Sequence, residues 1–112
     1  MDELGVAVVI EDDADVRNLL EGVLTQAGFE VHTAADGRAG VEVVRSKQAN
    51  VVTLDIGLPE RSGLEALADL REEHPRLPVL ILSMYSEEQF GVRAFSMGAA
   101  GYLTKDSVPT EL

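Results

Sequence analysis

The segment "VVTLDIGLPE", residues 51–60, is apolar and β-branched for four residues, then reaches Asp55 and turns through a glycine and a proline. Such a run predicts a strand that is buried on both faces, like the inner strands of parallel sheets. A carboxylate at the end of a buried strand is costly unless it is hydrated, paired or bound to a metal. Asp55 is therefore either an ordinary turn residue or a group held in place for chemistry.

Short apolar or β-branched runs recur along the chain and alternate with helical patterns. The predicted strands cover residues 6–10, 30–34, 51–54, 79–82 and 101–104. The run at 30–34, "EVHTA", alternates polar and apolar residues, which is typical of a strand at the edge of a sheet. Strands that alternate with helices predict a doubly wound α/β fold, with helices on both faces of a parallel sheet.

Apolar residues at helical spacing predict the helices that join these strands. The predicted helices cover residues 16–27, 36–46, 64–74 and 86–98, and a fifth begins at Pro109. Gly28 is predicted to end the first helix, and Arg17 is interpreted as a solvated residue on that helix. We expect residues 1–112 to form a single domain whose last helix is missing or only begun. The face of the sheet left bare would then favour self-association or a homodimer.

The composition argues against several classes of protein. Among the 112 residues there is no cysteine, which excludes a disulfide scaffold and thiolate metal sites. The formal net charge of -11 means that the surface as a whole would repel nucleic acid. The first residues, "MDELGVAVVI", lack the basic region and the long apolar region of a secretory signal. These features predict a cytoplasmic protein with no direct nucleic acid binding and no membrane association.

Polar residues follow the inner strands at the points where the strands end. They are Glu11, Asp12 and Asp13 after the first strand, Asp55 after the third, Ser83 after the fourth, and Thr104 and Lys105 at the end of the fifth. The carboxyl ends of parallel strands lie at one edge of the sheet, where open α/β folds bind ligands. Carboxylates without His or Cys favour a hard cation such as Mg²⁺, with Mn²⁺ as a substitute. With that cation bound, Asp55 could act as a nucleophile towards phosphorus.

These motifs resemble those of the receiver domains of two-component response regulators, over essentially the whole chain. The matching segments are "VVIEDDADVR", "LDIGLPERSGLEAL", "LILSMYSEEQF" and "GAAGYLTKDS". The last two are most similar to the NarL/FixJ-type subfamily, whose members usually carry a LuxR-type DNA-binding domain after the receiver. The resemblance implies a flavodoxin-like (CheY-like) fold with five parallel strands in the order 2-1-3-4-5.

The resemblance also implies a role for each site residue. Asp55 would be the phosphoacceptor, Glu11 and Asp12 would be the metal-binding acidic pair, and the backbone carbonyl of Gly57 would be a further metal ligand. Ser83 would bind a phosphoryl oxygen, and Lys105 would pair with Asp55 or its phosphate. Tyr102 would be the switch aromatic that turns inward when Ser83 moves. The phosphoryl donor would be a sensor histidine kinase or a small phosphodonor. Such a domain is not an enzyme but assists its own phosphorylation and dephosphorylation.

Other readings of the same residues remain open. Aspartate-nucleophile phosphatases need a second aspartate two positions after the first, where this chain has Gly57. FMN binding would need a phosphate loop rich in Ser, Thr and Gly after the first strand, where the chain has "EDDAD". A phosphorylation-independent interaction domain is the remaining alternative.

Overall fold

The structure is a computed structural model and describes residues 4–55, 61–83, 96 and 98–104. Its strands are β1 (Gly5–Ile10), β2 (Phe29–Ala34), β3 (Val51–Asp55), β4 (Val79–Ser83) and β5 (Gly101–Thr104). Its helices within this part are α1 (Ala14–Ala27), α2 (Gly37–Lys47) and α3 (Arg61–Glu73). The helices predicted at 86–98 and from Pro109 fall almost wholly outside the described residues.

The five strands form one parallel sheet in the order β2-β1-β3-β4-β5. This order confirms the fold class and the edge position of the 30–34 segment. The structure extends β3 and β4 by one residue each, so that Asp55 and Ser83 are the last residues of their strands. The backbones of both residues therefore belong to the sheet, which fixes where each side chain leaves it.

The sheet is covered on both faces, which explains the near-continuous apolar sequence of its inner strands. On one face α2 and α3 pack on β1, β3 and β4 and bury Val44, Leu67 and Leu70 among residues of the strands. On the other face α1 packs Leu20 against Val9 and Leu82. Each inner strand alternates its side chains between these two layers, so a slip by one residue would exchange the two layers and disrupt their packing.

Side-chain and glycine caps define the ends of α1. The Oδ1 atom of Asp13 accepts hydrogen bonds from the backbone N–H groups of Asp15 and Val16, at 2.9 and 3.2 Å. At the other end Gly28 takes the left-handed conformation with φ 111°, and its N–H bonds the last carbonyls of the helix. The predicted end of α1 at Gly28 is therefore confirmed, and the helix starts directly beside the acidic segment.

The prediction that one face of the sheet is left bare stays a prediction. Val9 and Leu82 are almost completely buried, and Leu4 is the one large hydrophobic residue of the described part that is exposed. The segments that could cover this face after β5 lie outside the described residues. Within the described part, no helix combines the length and the apolar character that crossing a membrane requires.

Gly40 lies where α2 crosses β1, and its replacement by Ala should destabilise the fold. A Cβ at this position would lie 2.5 Å from Cγ1 of Ile10 and closer still to its Cδ1. Overpacking of this kind costs roughly 1–3 kcal/mol, whereas the gain in helix propensity is about 1 kcal/mol. We therefore expect Gly40→Ala to lower the free energy of unfolding by about 1 kcal/mol, measured by urea denaturation.

Gly22 in α1 provides the matched control, because a Cβ there would meet nothing within 4 Å. Gly22→Ala should stabilise the protein through helix propensity alone. If Gly40→Ala stabilised the protein as much as Gly22→Ala does, this result would contradict the close contact between α2 and β1 at Gly40.

Candidate metal centre

Three carboxylates meet at the carboxyl edge of the sheet. The strands β1 and β3 are neighbours with Ile10 opposite Leu54, so the residues that follow them, Glu11 and Asp55, leave the sheet at the same level. One oxygen from each of Glu11, Asp12 and Asp55 lies within 4.8 Å of the others. We call these three residues the acidic cluster. The prediction that they lie together is confirmed by this geometry.

The members of the acidic cluster differ in their access to solvent. Glu11 is 1% exposed, Asp55 is half-buried and Asp12 is exposed. The cluster thus has a buried side at Glu11 and an exposed side at Asp12, from which a cation and its waters can enter. Burying a carboxylate such as Glu11 is costly unless charge or hydrogen bonds compensate it, which favours a cation at this place.

Glu11 is held at three points. Its backbone N–H donates to the carbonyl of Ala34 on β2 at 2.9 Å. Its Oε2 accepts the backbone N–H of Asp13 at 3.0 Å, and its own carbonyl accepts Nη1 of Arg17 at 2.9 Å. The buried carboxylate is therefore oriented by the loop between β1 and α1.

The donor set of the acidic cluster fits a hard divalent cation. All three groups are carboxylates, and within the described residues this is the single group of three or more acidic, His or Cys side chains that could hold a metal. Mg²⁺ prefers oxygen ligands, uses only a few carboxylates and keeps several of its waters. The residues Glu11, Asp12 and Asp55 can thus hold Mg²⁺, and Mn²⁺ by the same chemistry.

Ser83 lies next to this site in the sheet, and Tyr102 lies one strand further away on β5. Leu82 of β4 is opposite Asp55 of β3, so Ser83 lies one residue further along the neighbouring strand. Its side chain is buried at 1% exposure. Tyr102 on β5 is opposite Ile81 and is buried in the core layer that α2 and α3 cover. The structure therefore places Ser83 at the same edge of the sheet as the acidic cluster. Tyr102 lies in the core, two residue positions below Ser83 in the strand register.

Two of the predicted site residues, Gly57 and Lys105, lie outside the described residues. Their roles therefore stay predictions from the resemblance.

Arg17 is the site residue that the sequence interpretation missed. It was expected to be a solvated residue of the first helix, but it is half-buried and donates to the carbonyl of Glu11. The physical reason is that α1 begins at Ala14, directly after the acidic segment. The Arg17 side chain can therefore reach back to the carbonyl of Glu11. The spacing of an arginine six residues after Glu11, in the second turn of a helix that begins at this loop, is the signal that could have found it.

Thr53 is a buried residue of β3 whose hydroxyl has no hydrogen-bond partner within the described part of the chain. An unsatisfied buried hydroxyl costs roughly 1–3 kcal/mol in proteins, and valine has nearly the same shape. We expect Thr53→Val to raise the free energy of unfolding by about 1 kcal/mol, measured by urea denaturation.

The control for strand propensity is Thr33→Val on the edge strand β2, where the side chain is half-buried. Its effect should be smaller, because water can reach a half-buried hydroxyl. A Thr53→Val protein no more stable than the wild type would show that the hydroxyl of Thr53 is satisfied.

Comparison with known proteins identifies the family of this chain. The family model of the response regulator receiver domain matches residues 7–112. The regulator NtrC of Klebsiella pneumoniae is 35% identical over 101 residues, which are 90% of this chain and 22% of NtrC. The regulator PhoP of Bacillus subtilis is 30% identical over 105 residues, which are 94% of this chain and 44% of PhoP.

Solved structures show the same fold. The chemotaxis protein CheY4 of Vibrio cholerae has a TM-score of 0.80 and 27% identity, over 93% of this chain and 88% of that chain. A LuxR-family DNA-binding response regulator from Staphylococcus aureus has a TM-score of 0.80 and 26% identity, over 92% of this chain and 88% of that chain.

The chain matches only part of each of these relatives, and together they do not assign it to one subfamily. The chain spans about a fifth of the length of NtrC and less than half of PhoP. Because these two differ from the NarL/FixJ type, that finer assignment is not confirmed. The acidic cluster, the strand order and the match over residues 7–112 agree with one another, and this chain belongs to the response regulator receiver domain family.

Proposed function

We propose that this receiver domain is a phosphoacceptor in which Asp55 takes a phosphoryl group with Mg²⁺ held by Glu11, Asp12 and Asp55. The observation that carries the proposal is the acidic cluster, with its buried side at Glu11 and its exposed side at Asp12. The backbone carbonyl of Gly57 is proposed as a further ligand. The donor would be the phosphohistidine of a sensor histidine kinase, or a small phosphodonor.

The transfer itself requires little covalent chemistry from the protein. A carboxylate oxygen of Asp55 attacks phosphorus, the bond from phosphorus to the donor breaks, and the donor leaves with the electron pair and a proton from solvent. Mg²⁺, when bound, neutralises charge on the phosphoryl oxygens. The Ser83 hydroxyl would donate a hydrogen bond to one of these oxygens, and the Lys105 ammonium would pair with another.

The proposed output is a switch in what the domain binds. In this scheme Ser83 moves towards the phosphoryl group, and Tyr102 changes its packing in response. Tyr102 is buried in the core layer, so a change in its packing would be felt by the residues around it. The switch would alter binding to a partner protein or, in a longer parent chain, the activity of a DNA-binding domain.

Several finer features belong to the same proposal. Residues 1–112 would act as a single receiver domain in the cytoplasm, without direct nucleic acid binding, as the net charge of -11 favours. It would not be an enzyme in its own right. A NarL/FixJ-type assignment has some support from the LuxR-family structure, whereas NtrC and PhoP point to other types.

Incubation of the protein with a small phosphodonor tests this function. In the presence of Mg²⁺ the intact mass should rise by one phosphoryl group, and chelation of the metal before the incubation should prevent the rise. A protein that gains no mass with Mg²⁺ would contradict the proposal and favour a phosphorylation-independent interaction domain.

A further inference from the structure

We propose that Arg17 is a positioning residue for the metal site, whose guanidinium fixes the loop that carries the acidic pair Glu11 and Asp12. This inference rests on the proposed function, because it concerns the same acidic cluster. The starting observation is the hydrogen bond of 2.9 Å from Nη1 of Arg17 to the carbonyl of Glu11. It is made by a half-buried side chain from the second turn of α1.

The hydrogen bonds around Glu11 close a ring through the start of α1. The Glu11 carboxylate accepts the backbone N–H of Asp13 at 3.0 Å, and the Asp13 side chain caps the helix. The backbone N–H of Arg17 then donates to the Asp13 carbonyl at 2.9 Å, and its guanidinium returns to the Glu11 carbonyl. Both the carboxylate and the carbonyl of Glu11 are thus tied to the first two turns of one helix.

This ring orients Asp12 as well as Glu11. A peptide bond is planar, so the direction of the Glu11 carbonyl fixes the plane that also contains the nitrogen and Cα of Asp12. Asp12 is itself exposed and follows this peptide bond directly. Release of the Glu11 carbonyl would therefore loosen the placement of both carboxylates relative to Asp55.

The charge of Arg17 and its positioning role have opposite effects on cation binding. As a nearby positive charge, the guanidinium repels Mg²⁺, so its removal would tighten binding if charge alone mattered. As a positioning group it preorganises the ligands, and the loss of such outer-shell partners typically weakens metal binding by about 10–100-fold. The sign of the change therefore separates the two roles.

The test measures the Mg²⁺-dependent rise in Tm for the wild type and for Arg17→Met and Arg17→Lys. Each titration gives a dissociation constant by linkage, and each variant is referred to its own metal-free Tm, which removes any loss of stability from the comparison. We expect Arg17→Met to raise the dissociation constant about tenfold. Arg17→Lys, which keeps the charge and can still donate to a carbonyl, should recover part of the loss.

Arg45→Met is the matched control. Arg45 lies in the last turn of α2, away from the carboxyl edge of the sheet, and donates to both oxygens of Glu73 on α3 at 2.8 and 2.9 Å. Those contacts raise the pKa of the Arg45 guanidinium from its usual value, mainly through the hydrogen bond to Glu73. Its removal deletes the same charge as Arg17→Met and should leave the Mg²⁺ dissociation constant unchanged.

Unchanged or tighter Mg²⁺ binding by Arg17→Met would overturn the positioning role. So would an equal weakening by Arg45→Met, because the effect would then follow from charge or stability in general. A wild-type protein whose Tm does not respond to Mg²⁺ would instead overturn the metal site on which the proposed function depends, and this inference with it.

Discussion

Replacement of Asp55 by Asn is expected to abolish the gain of a phosphoryl group. The amide is neutral and offers no anionic oxygen to attack phosphorus, so the acceptor chemistry is lost rather than slowed. The fold should be unaffected, because the two side chains have nearly the same shape and Asp55 is only half-buried. Intact mass spectrometry after incubation with Mg²⁺ and a small phosphodonor checks the first expectation, and thermal denaturation checks the second.

Asp69→Asn is the control for this prediction. Asp69 is an exposed residue of α3 outside the acidic cluster, and the same substitution there should leave phosphoryl incorporation as in the wild type. If Asp55→Asn gained as much mass as Asp69→Asn, Asp55 would not be the acceptor.

Replacement of Asp12 by Asn is expected to weaken Mg²⁺ binding by at least about tenfold, a loss of the size that outer-shell changes already produce. Asp12 is the exposed member of the acidic cluster, so its carboxylate would contribute to cation binding and little to core packing. Removing its charge lowers the attraction for a divalent cation and also reduces repulsion within the cluster. The variant should therefore match or exceed the wild type in metal-free stability and yet gain less stability from Mg²⁺.

Thermal denaturation at increasing Mg²⁺ concentrations checks this prediction. A ligand at 100 times its dissociation constant stabilises a protein by about 2.7 kcal/mol, and each tenfold loss of affinity removes about 1.4 kcal/mol of that. Asp15→Asn is the control, because Asp15 is an exposed carboxylate of the first turn of α1 that is not in the cluster. Equal Mg²⁺ responses from Asp12→Asn and Asp15→Asn would contradict a specific role for Asp12.

The sheet could be predicted from sequence because burial on both faces leaves a simple pattern. Runs such as Val51–Asp55 are apolar at successive positions, whereas the edge strand β2 alternates. The strand ends then identified the acidic cluster, because parallel strands bring the residues after them to one edge. The order of the strands followed from the resemblance to receiver domains.

Other features depend on contacts that no local pattern records. The left-handed Gln48, with φ 54°, ends α2 although its sequence gives no glycine signal there. The need for Gly40 becomes visible only when α2 lies against Ile10. Arg17 looked like a solvated helix residue because its partner is a backbone carbonyl, which has no side-chain signature in the sequence.

The central claim, that Asp55 is the phosphoacceptor of a Mg²⁺-dependent transfer, is tested most directly by locating the phosphoryl group on the wild-type chain. The protein is phosphorylated with a small phosphodonor and Mg²⁺, digested, and analysed by mass spectrometry under conditions that preserve acyl phosphates. We predict that the phosphoryl group lies on the peptide that contains Asp55 and is absent when the metal is chelated. A phosphoryl group on any other residue, or one that forms equally well without Mg²⁺, would contradict it.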